Sequence, residues 1–409
     1  MDHQDYPMPQ GLYAILHDLL DLRPDSDIDH DLLHPPPVSD EKNIWFYWHS
    51  GFESMHPCSQ RNIRAWHRRF SKHGWVIRVL DRQPSSRLNL ATFLDITDPH
   101  TFPRAFIDGT IGGDYAPQHT SDLVRFPLLL RYGGVYADVG LMQIGDLERL
   151  WRETVGNPES GFEVLSYDMG IAAERSLANY FLASPRDNPF FDRCHKLLLA
   201  LWAAEGGKVS TEGMHQDPLL KGVPLLKSGA AIKEADRTIG LEETCRMLSD
   251  YIIQGQVISM VMGLVDEDDG WDGPKYVADH VYAMEFMTGS QLINEFTAWD
   301  GRKAFELLSL PLPQAGETES DGQRQAREIV QACLQRSFAF KLAHGIIIKV
   351  LGDTLGSLWR KHEGSDCVPG TYADWLRHGM VFWNQKEVPA RTAYSPVELI
   401  KRGSLLKVE

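Results

Sequence analysis

The sequence predicts an α/β protein, with a Rossmann-like central sheet flanked by helices and a helical C-terminal part. Three observations carry that expectation. "NIWFYWH", "CSQRNIRAWHRRFSKHG" and "WVIRVLD" follow one another as strand, helix and strand. "HTSDLVRFPLLLRYGG" runs as a helix through two glycines into the apolar "VYADVGLMQI". Late in the chain, "QAREIVQACLQRSFAFKLAHGIIIKVLGDTLGSLWRKH" is largely helical in pattern.

The elements follow in order. The proline-rich "HPPPVSDEKN" closes a weakly structured lead-in with a short amphipathic stretch near residues 11–22. "NIWFYWH" is β-rich and bounded by "SGFESMHP", so it reads as a buried first strand. Ile63, Trp66 and Phe70 have the spacing of an amphipathic helix, which Gly74 stops. The second strand ends on Asp81, and the strand–helix–strand succession suggests a parallel unit. In the next helix Thr120 or Ser121 serves as the cap, Pro127 sits one turn inside, and Gly133 closes it. Asp122 and Arg125, three apart, share a face of that helix. "GDLERL" starts another helix and "GFEVLSYD" is a strand. "LANYFLASPRDNPFFDRCHKLLLALW" enters a long helix, and "DEDDGWDGPKYVADHVYAMEFM" joins an acidic turn to a helical pattern. "LPQAGETESDGQ" is a flexible connector and "YSPVE" a turn.

Bulk properties exclude several classes. With 43% hydrophobic and 24% charged residues the composition is that of a globular protein. No apolar run reaches the length of a membrane helix, and the acidic N-terminus lacks the basic start and apolar core of a signal peptide, so the expectation is a cytoplasmic protein without membrane insertion. Five scattered cysteines without C-x-x-C spacing argue for free thiols. A net charge of −15 disfavours general nucleic-acid binding. The run from Gln60 to Arg78 is locally basic; it reads as a solvated helix face, with a basic footprint as the functional alternative.

In an open parallel sheet, ligands bind beyond the carboxyl ends of the strands. Three strand ends carry polar or aromatic groups: Trp48 and His49; Asp81; and Tyr136 with Asp138. Alone, Asp138 could simply cap a turn. Two residues on, where a second acid would complete an Asp-x-Asp pair, stands Gly140. His49 and His119 are the histidines nearest the expected pocket, and structural roles are expected for both. The histidine of "FKLAH" has no ligand spacing.

"HTSDLVRFPLLLRYGGVYADVG" resembles the core motif of the capsular-polysaccharide-synthesis glycosyltransferases, relatives of the sugar transferases with an Asp-x-Asp motif. Residues 43–81, "LANYFLASPRDNPFF" and "FTAWDGRKAFELL" extend the resemblance to about residue 310. It implies a glycosyltransferase-A-like catalytic domain over 41–310, after the lead-in 1–40 and before a connector 311–325 and a helical extension 326–409 packed on the core. It also implies that Trp45 and Trp48 wall a nucleotide pocket, that Asp122 and Arg125 face the base or sugar, and that Asp138 is the first metal acid. Gly140 cannot ligate through a side chain; Mg²⁺ and Mn²⁺ need few protein ligands, so one carboxylate plus a diphosphate could hold either ion.

The chain is also similar in length and pattern to a fungal group with this glycosyltransferase-like look, the arginine-containing cyclodipeptide synthases. Their acidic D-D-x-x-E motif has its nearest counterpart in Asp268-Asp269-Gly270-Trp271-Asp272, an exposed acidic turn in the plainer reading. Aminoacyl transfer needs no metal, and acids with an aromatic wall suit a guanidinium. The leading expectation is therefore a tRNA-dependent cyclodipeptide synthase without a required cofactor, taking arginine from Arg-tRNA. Asp122, Asp138, Asp268 and Asp269 would be catalytic. Trp45, Trp48, His49, Arg125, Tyr136 and Asp272 would bind substrate, and Arg64, Arg68, Arg69 and Lys72 would take tRNA phosphate. The alternative is a nucleotide-sugar-dependent glycosyltransferase with a degenerate Asp-x-Asp, using Mg²⁺ or Mn²⁺ at Asp138. A fold kept only for binding is the non-enzymatic third.

Overall fold

The computed structural model describes residues 6–170, 175–233, 237–392 and 397–408. Most of the turn expected at "YSPVE" lies outside them. The central sheet comprises β1 (Asn43–Tyr47), β2 (Val76–Leu80), β3 (Gly134–Ala137), β4 (Val164–Asp168), β5 (Phe181–Ser184) and β6 (Val281–Glu285). Their spatial order is β6-β4-β5-β3-β1-β2. β1 runs parallel to both β2 and β3, and β4 parallel to β6. β5 is reversed, antiparallel to β3 and β4. The fold is α/β, as the sequence predicts, with a mixed central sheet.

The alternation along β1 explains the layers. Ile44 and Phe46 face one side with α1 (Pro57–Phe70), whose Ile63, Trp66 and Phe70 are buried there. Trp45 and Tyr47 face the other side. There they meet α2 (Ala116–Tyr132), α3 (Pro189–Ala203) and α4 (Ile253–Met262), through Val124, Leu128, Phe190, Leu197 and Val257. Each fully buried large apolar side chain adds roughly 1.5–3 kcal/mol, so a sheet covered on both faces needs no amphipathic strand pattern. This is why Ile44–Tyr47 are apolar on both faces.

Several local expectations change. α2 begins at Ala116, with Pro117 in its first turn, so Thr120 and Ser121 lie inside the helix and cap nothing. Pro117 suits a helix start because its fixed φ is helical and its missing N–H would have been unpaired. Pro127 therefore sits deep in the helix rather than one turn in. "VYADVGLMQI" is two short strands, β3 and Leu141–Gln143, broken by a turn at Asp138. β5, β6 and the short strand Ala339–Lys341 fall in stretches whose pattern read as helical or as lead-ins to helices. The lead-in is structured: Leu12–Ala14 pairs antiparallel with Trp383–Gln385, and Ile28 and Leu32 of the helix Asp25–Leu33 are fully buried.

The C-terminal helices Asp321–Arg336 and Leu355–Lys361 open with capping boxes at Ser320 and Thr354. Their cluster, which includes Tyr372, Trp359 and Trp375, also takes in Met142 and Ile144 from the segment after β3 and Leu12 from the N-terminus. Among the described residues no helix is long and apolar enough to cross a membrane. All five cysteines are free.

Two glycines close the approach of α2 to β3. Gly134 has φ +92°, and a Cβ there would lie 2.4 Å from the carbonyl oxygen of Asn43 and 2.6 Å from that of Glu41. No rotation of a side chain relieves a clash with two backbone oxygens. Gly134→Ala should therefore cost about 3 kcal/mol or more, read as a lower denaturant midpoint with an unchanged m-value.

Candidate active site

Asp138 follows β3 at its carboxyl end, in the turn that leads to Leu141–Gln143. Its backbone N–H donates to the carbonyl of Tyr180, which precedes the reversed β5. Arg125, on α2, reaches the same point. Its guanidinium donates to the carbonyl of Asn179 at 2.6 Å and lies 2.8 Å from Asp122 and 3.4 Å from Asp138. It also stands over the Tyr136 ring, 4.9 Å from the centroid. The arginine side chain is only 4% exposed, against 26% for Asp138. Asp122 and Arg125 are i,i+3 neighbours as their spacing predicts, and the fold adds Asp138 to the pair.

The two carboxylates differ. Burial drives the Asp122 carboxyl up to about 6; Arg125 opposes the rise and Asp138 adds to it. Burial would raise Asp138 too, but Lys341 and Arg125 outweigh it and hold Asp138 below the usual carboxylate value. Asp138 is thus the ionised acid at the open side, while Asp122 titrates near neutrality behind Arg125. Asn179 and Gln254 complete the surround: the Asn179 amide donates to Asp122 and to Gln254, and Gln254 donates to the Asp122 carbonyl at 2.9 Å.

Lys341 is the group that the sequence reading missed. It ends the strand Ala339–Lys341, which pairs antiparallel with Leu141–Gln143, placing Lys341 opposite Leu141. Its ammonium donates to Asp138 at 2.6 Å and lies 5.5 Å from the Tyr180 ring centroid. Three residues on, His344 packs against Gly140: a Cβ added to Gly140 would stand 3.5 Å from the ring and 3.3 Å from the Leu342 carbonyl oxygen. Arg360 contacts His344 Nδ1 at 2.7 Å. Arginine can only donate, so Nδ1 accepts and the ring proton sits on Nε2. Burial, with Arg360 and Lys341 nearby, holds His344 well below its usual value and therefore neutral. The short alternating "FAFK" within a helical-looking stretch was the available signal.

An Asp-x-Asp metal clamp does not fit these residues. Gly140 supplies no ligand, both Asp138 oxygens face protein cations, and the His344 lone pair is used by Arg360. A group that could hold a metal ion lies elsewhere: Asp21, Asp31 and His67 present ligand atoms within 4.8 Å of one another. Arg23 pairs with both carboxylates of that group, at 2.5 Å each.

The other expected site residues separate into three kinds. Tyr136 joins the cluster, fully buried, with its hydroxyl 2.8 Å from Ser121. Trp48 and His49 stand at the end of β1; Trp48 is half-buried with a buried, unpartnered indole N–H, and His49 is exposed. Trp45 walls no pocket: it is wholly buried, donates to the Gly133 carbonyl at 2.9 Å and packs on Phe93 and Tyr132. His119 is buried between Tyr115 and Tyr251, as a structural histidine.

The acidic turn is not drawn into the cluster. Asp268, Asp269 and Asp272 are exposed beside the separate small sheet that holds Leu264–Asp266 and Trp271–Asp272; Asp269 pairs with Arg193, and Asp272 caps the helix Gly273–His280. The basic footprint also dissolves. Arg64 pairs with Asp29 at 2.7 Å and Arg68 with Asp25 at 2.6 Å, while Arg69 is buried and donates to the Ile144 carbonyl and to Asn384. Of the four, Lys72 alone is exposed.

Known proteins resemble this chain along most of its length. Residues 16–209 match the family described as capsular polysaccharide synthesis protein. The chain is 32% identical to the O-glycosyltransferase braB of Annulohypoxylon truncatum, over 97% of this chain and 94% of that one. It is 31% identical to the O-glycosyltransferase PaGT of Phomopsis amygdali, over 92% and 91% of the two chains. A solved structure, PaToxG glycosyltransferase, matches 43% of this chain and 66% of its own at 17% identity and a TM-score of 0.25. The full-length relatives overturn the expectation of a tRNA-dependent cyclodipeptide synthase and of Arg-tRNA as partner. The ion pairs of Arg64 and Arg68 and the buried hydrogen bonds of Arg69 explain why the basic run misled.

A test of the cluster follows from Asp122. Its folded value is raised above the ordinary 3.8, so the protonated form is the one the fold favours. The associated stability is full below about pH 4 and is lost as pH rises through about 6. Asp122→Asn stays neutral throughout. Between pH 4 and 7 the wild type should lose about 3 kcal/mol relative to the variant, measured by urea unfolding at a series of pH values.

Proposed function

We propose, from the premise that the chain belongs to the family of these fungal glycosyltransferases, relatives of the capsular polysaccharide synthesis proteins, that it transfers a sugar from a nucleotide donor to a hydroxyl acceptor. The observation that carries this reading is the cluster of Asp138, Arg125 and Lys341 at the carboxyl end of β3, where an open α/β sheet binds its ligand. The Asp138 carboxylate, the most exposed group of the cluster, suits the hydroxyls of a sugar, and the Lys341 ammonium beside it suits a diphosphate.

In the transfer, the acceptor oxygen attacks the anomeric carbon and the bond from that carbon to the diphosphate oxygen breaks. The electron pair leaves on the phosphate, and the acceptor's proton passes to solvent. Asp138, ionised and the most exposed of the four charged groups, orients the sugar. Arg125 is spent on Asp122, the Asn179 carbonyl and the Tyr136 face, and so positions Asp138 rather than meeting substrate. The half-buried ring of Trp48, at the end of β1, is the aromatic surface that lies at this edge for the nucleoside. Asp122 holds Arg125 in place.

Calorimetry against a panel of UDP- and GDP-sugars, followed by product detection with hydroxyl acceptors, tests the proposal. One donor should bind, and Asp138→Asn should lower kcat by about 100-fold or more while the protein stays folded. If no sugar nucleotide binds under any condition, the reading fails.

A further inference from the structure

We infer that Lys341 is a built-in replacement for the divalent cation of sugar-nucleotide transfer: its ammonium binds the diphosphate of the donor and takes up the negative charge of the leaving group. The inference rests on the glycosyltransferase reading and deepens it.

The argument begins with repulsion. A carboxylate and a phosphate oxygen 4 Å apart repel by about 4 kcal/mol at the effective dielectric of a protein surface. Asp138 can therefore share a site with a diphosphate only if a cation lies between them. Among the described residues, the cations paired with Asp138 are Arg125 and Lys341. Arg125 is 4% exposed and committed to Asp122 and the Asn179 carbonyl. Lys341 is 16% exposed. Its one hydrogen-bond partner among the described residues is Asp138, so of its three N–H donors two remain for a ligand.

Gly140 points the same way. A Cβ on Gly140 would stand in tight contact with the Leu342 carbonyl oxygen and in van der Waals contact with the His344 ring. The strand that brings Lys341 to Asp138 is continuous with the segment that fills that space: Leu342 N–H donates to the Gly140 carbonyl at 2.9 Å. The one segment thus places an ammonium at Asp138 and lies against the position that carries no second acid. Asp138 then holds the lysine in place, as it would have held an ion.

The test measures binding of UDP, GDP and ADP, and of the matching nucleosides, in EDTA and in Mn²⁺ or Mg²⁺. The proteins are the wild type, Lys341→Gln and Lys341→Arg, each checked by its thermal midpoint. The wild type should bind one diphosphate equally well in EDTA and with metal. Lys341→Gln should weaken that binding about 10- to 100-fold and leave nucleoside affinity unchanged, and Lys341→Arg should restore part of it. Diphosphate binding that requires the metal, or that Lys341→Gln leaves intact, overturns the inference and leaves the glycosyltransferase reading standing. Binding of no diphosphate with or without metal overturns both. Should Lys341→Gln not fold, the metal dependence of the wild type decides alone.

Discussion

A guanidinium buried between two carboxylates holds the working end of this protein together. Arg125 alone would be costly to bury, since an unpaired buried charge loses several kcal/mol of hydration. Asp122 beneath it, Asp138 across from it, the Asn179 carbonyl and the face of Tyr136 offset that cost. Those groups come from α2, from β3 and the turn after it, and from the segment entering β5. Satisfying one arginine therefore fixes three elements at the carboxyl edge of the sheet. Removing any partner leaves a charge without compensation, which is why the cluster reads as one unit.

The same electrostatics separates the two acids. Asp122 is deeper and meets one cation; Asp138 is more open and meets two. Burial dominates in the first and the cations dominate in the second. Two identical side chains 16 positions apart in sequence thus acquire different proton affinities, one raised and one lowered. The second cation comes from far along the chain. Lys341 arrives only because Ala339–Lys341 pairs antiparallel with the short strand Leu141–Gln143.

Much of the scaffold was legible because its periodicity is local. The run of apolar residues in "NIWFYWH", the Ile63, Trp66 and Phe70 stripe and the stop at Gly74 all correspond to observed elements. β5 and β6 were hidden because four- and five-residue strands leading into or out of helices have no pattern of their own. The basic run of α1 illustrates the reverse error. Its arginines look like a surface footprint, yet Asp21, Asp25, Asp29, Ile144 and Asn384 take them up from other parts of the chain.

By itself the sequence determined the α/β class, the strand end at Asp138, the shared helix face of Asp122 and Arg125, and the absence of an acid at Gly140. Each of these depends on neighbours within a few residues. Only the tertiary structure decided that Trp45 is core, that the acidic turn at Asp268 and Asp269 lies apart, and that Lys341 and His344 stand at Asp138 and Gly140. Those facts depend on pairings across tens to hundreds of residues, which local propensity does not encode: a lysine in an apolar stretch has no assigned partner until a strand register supplies one.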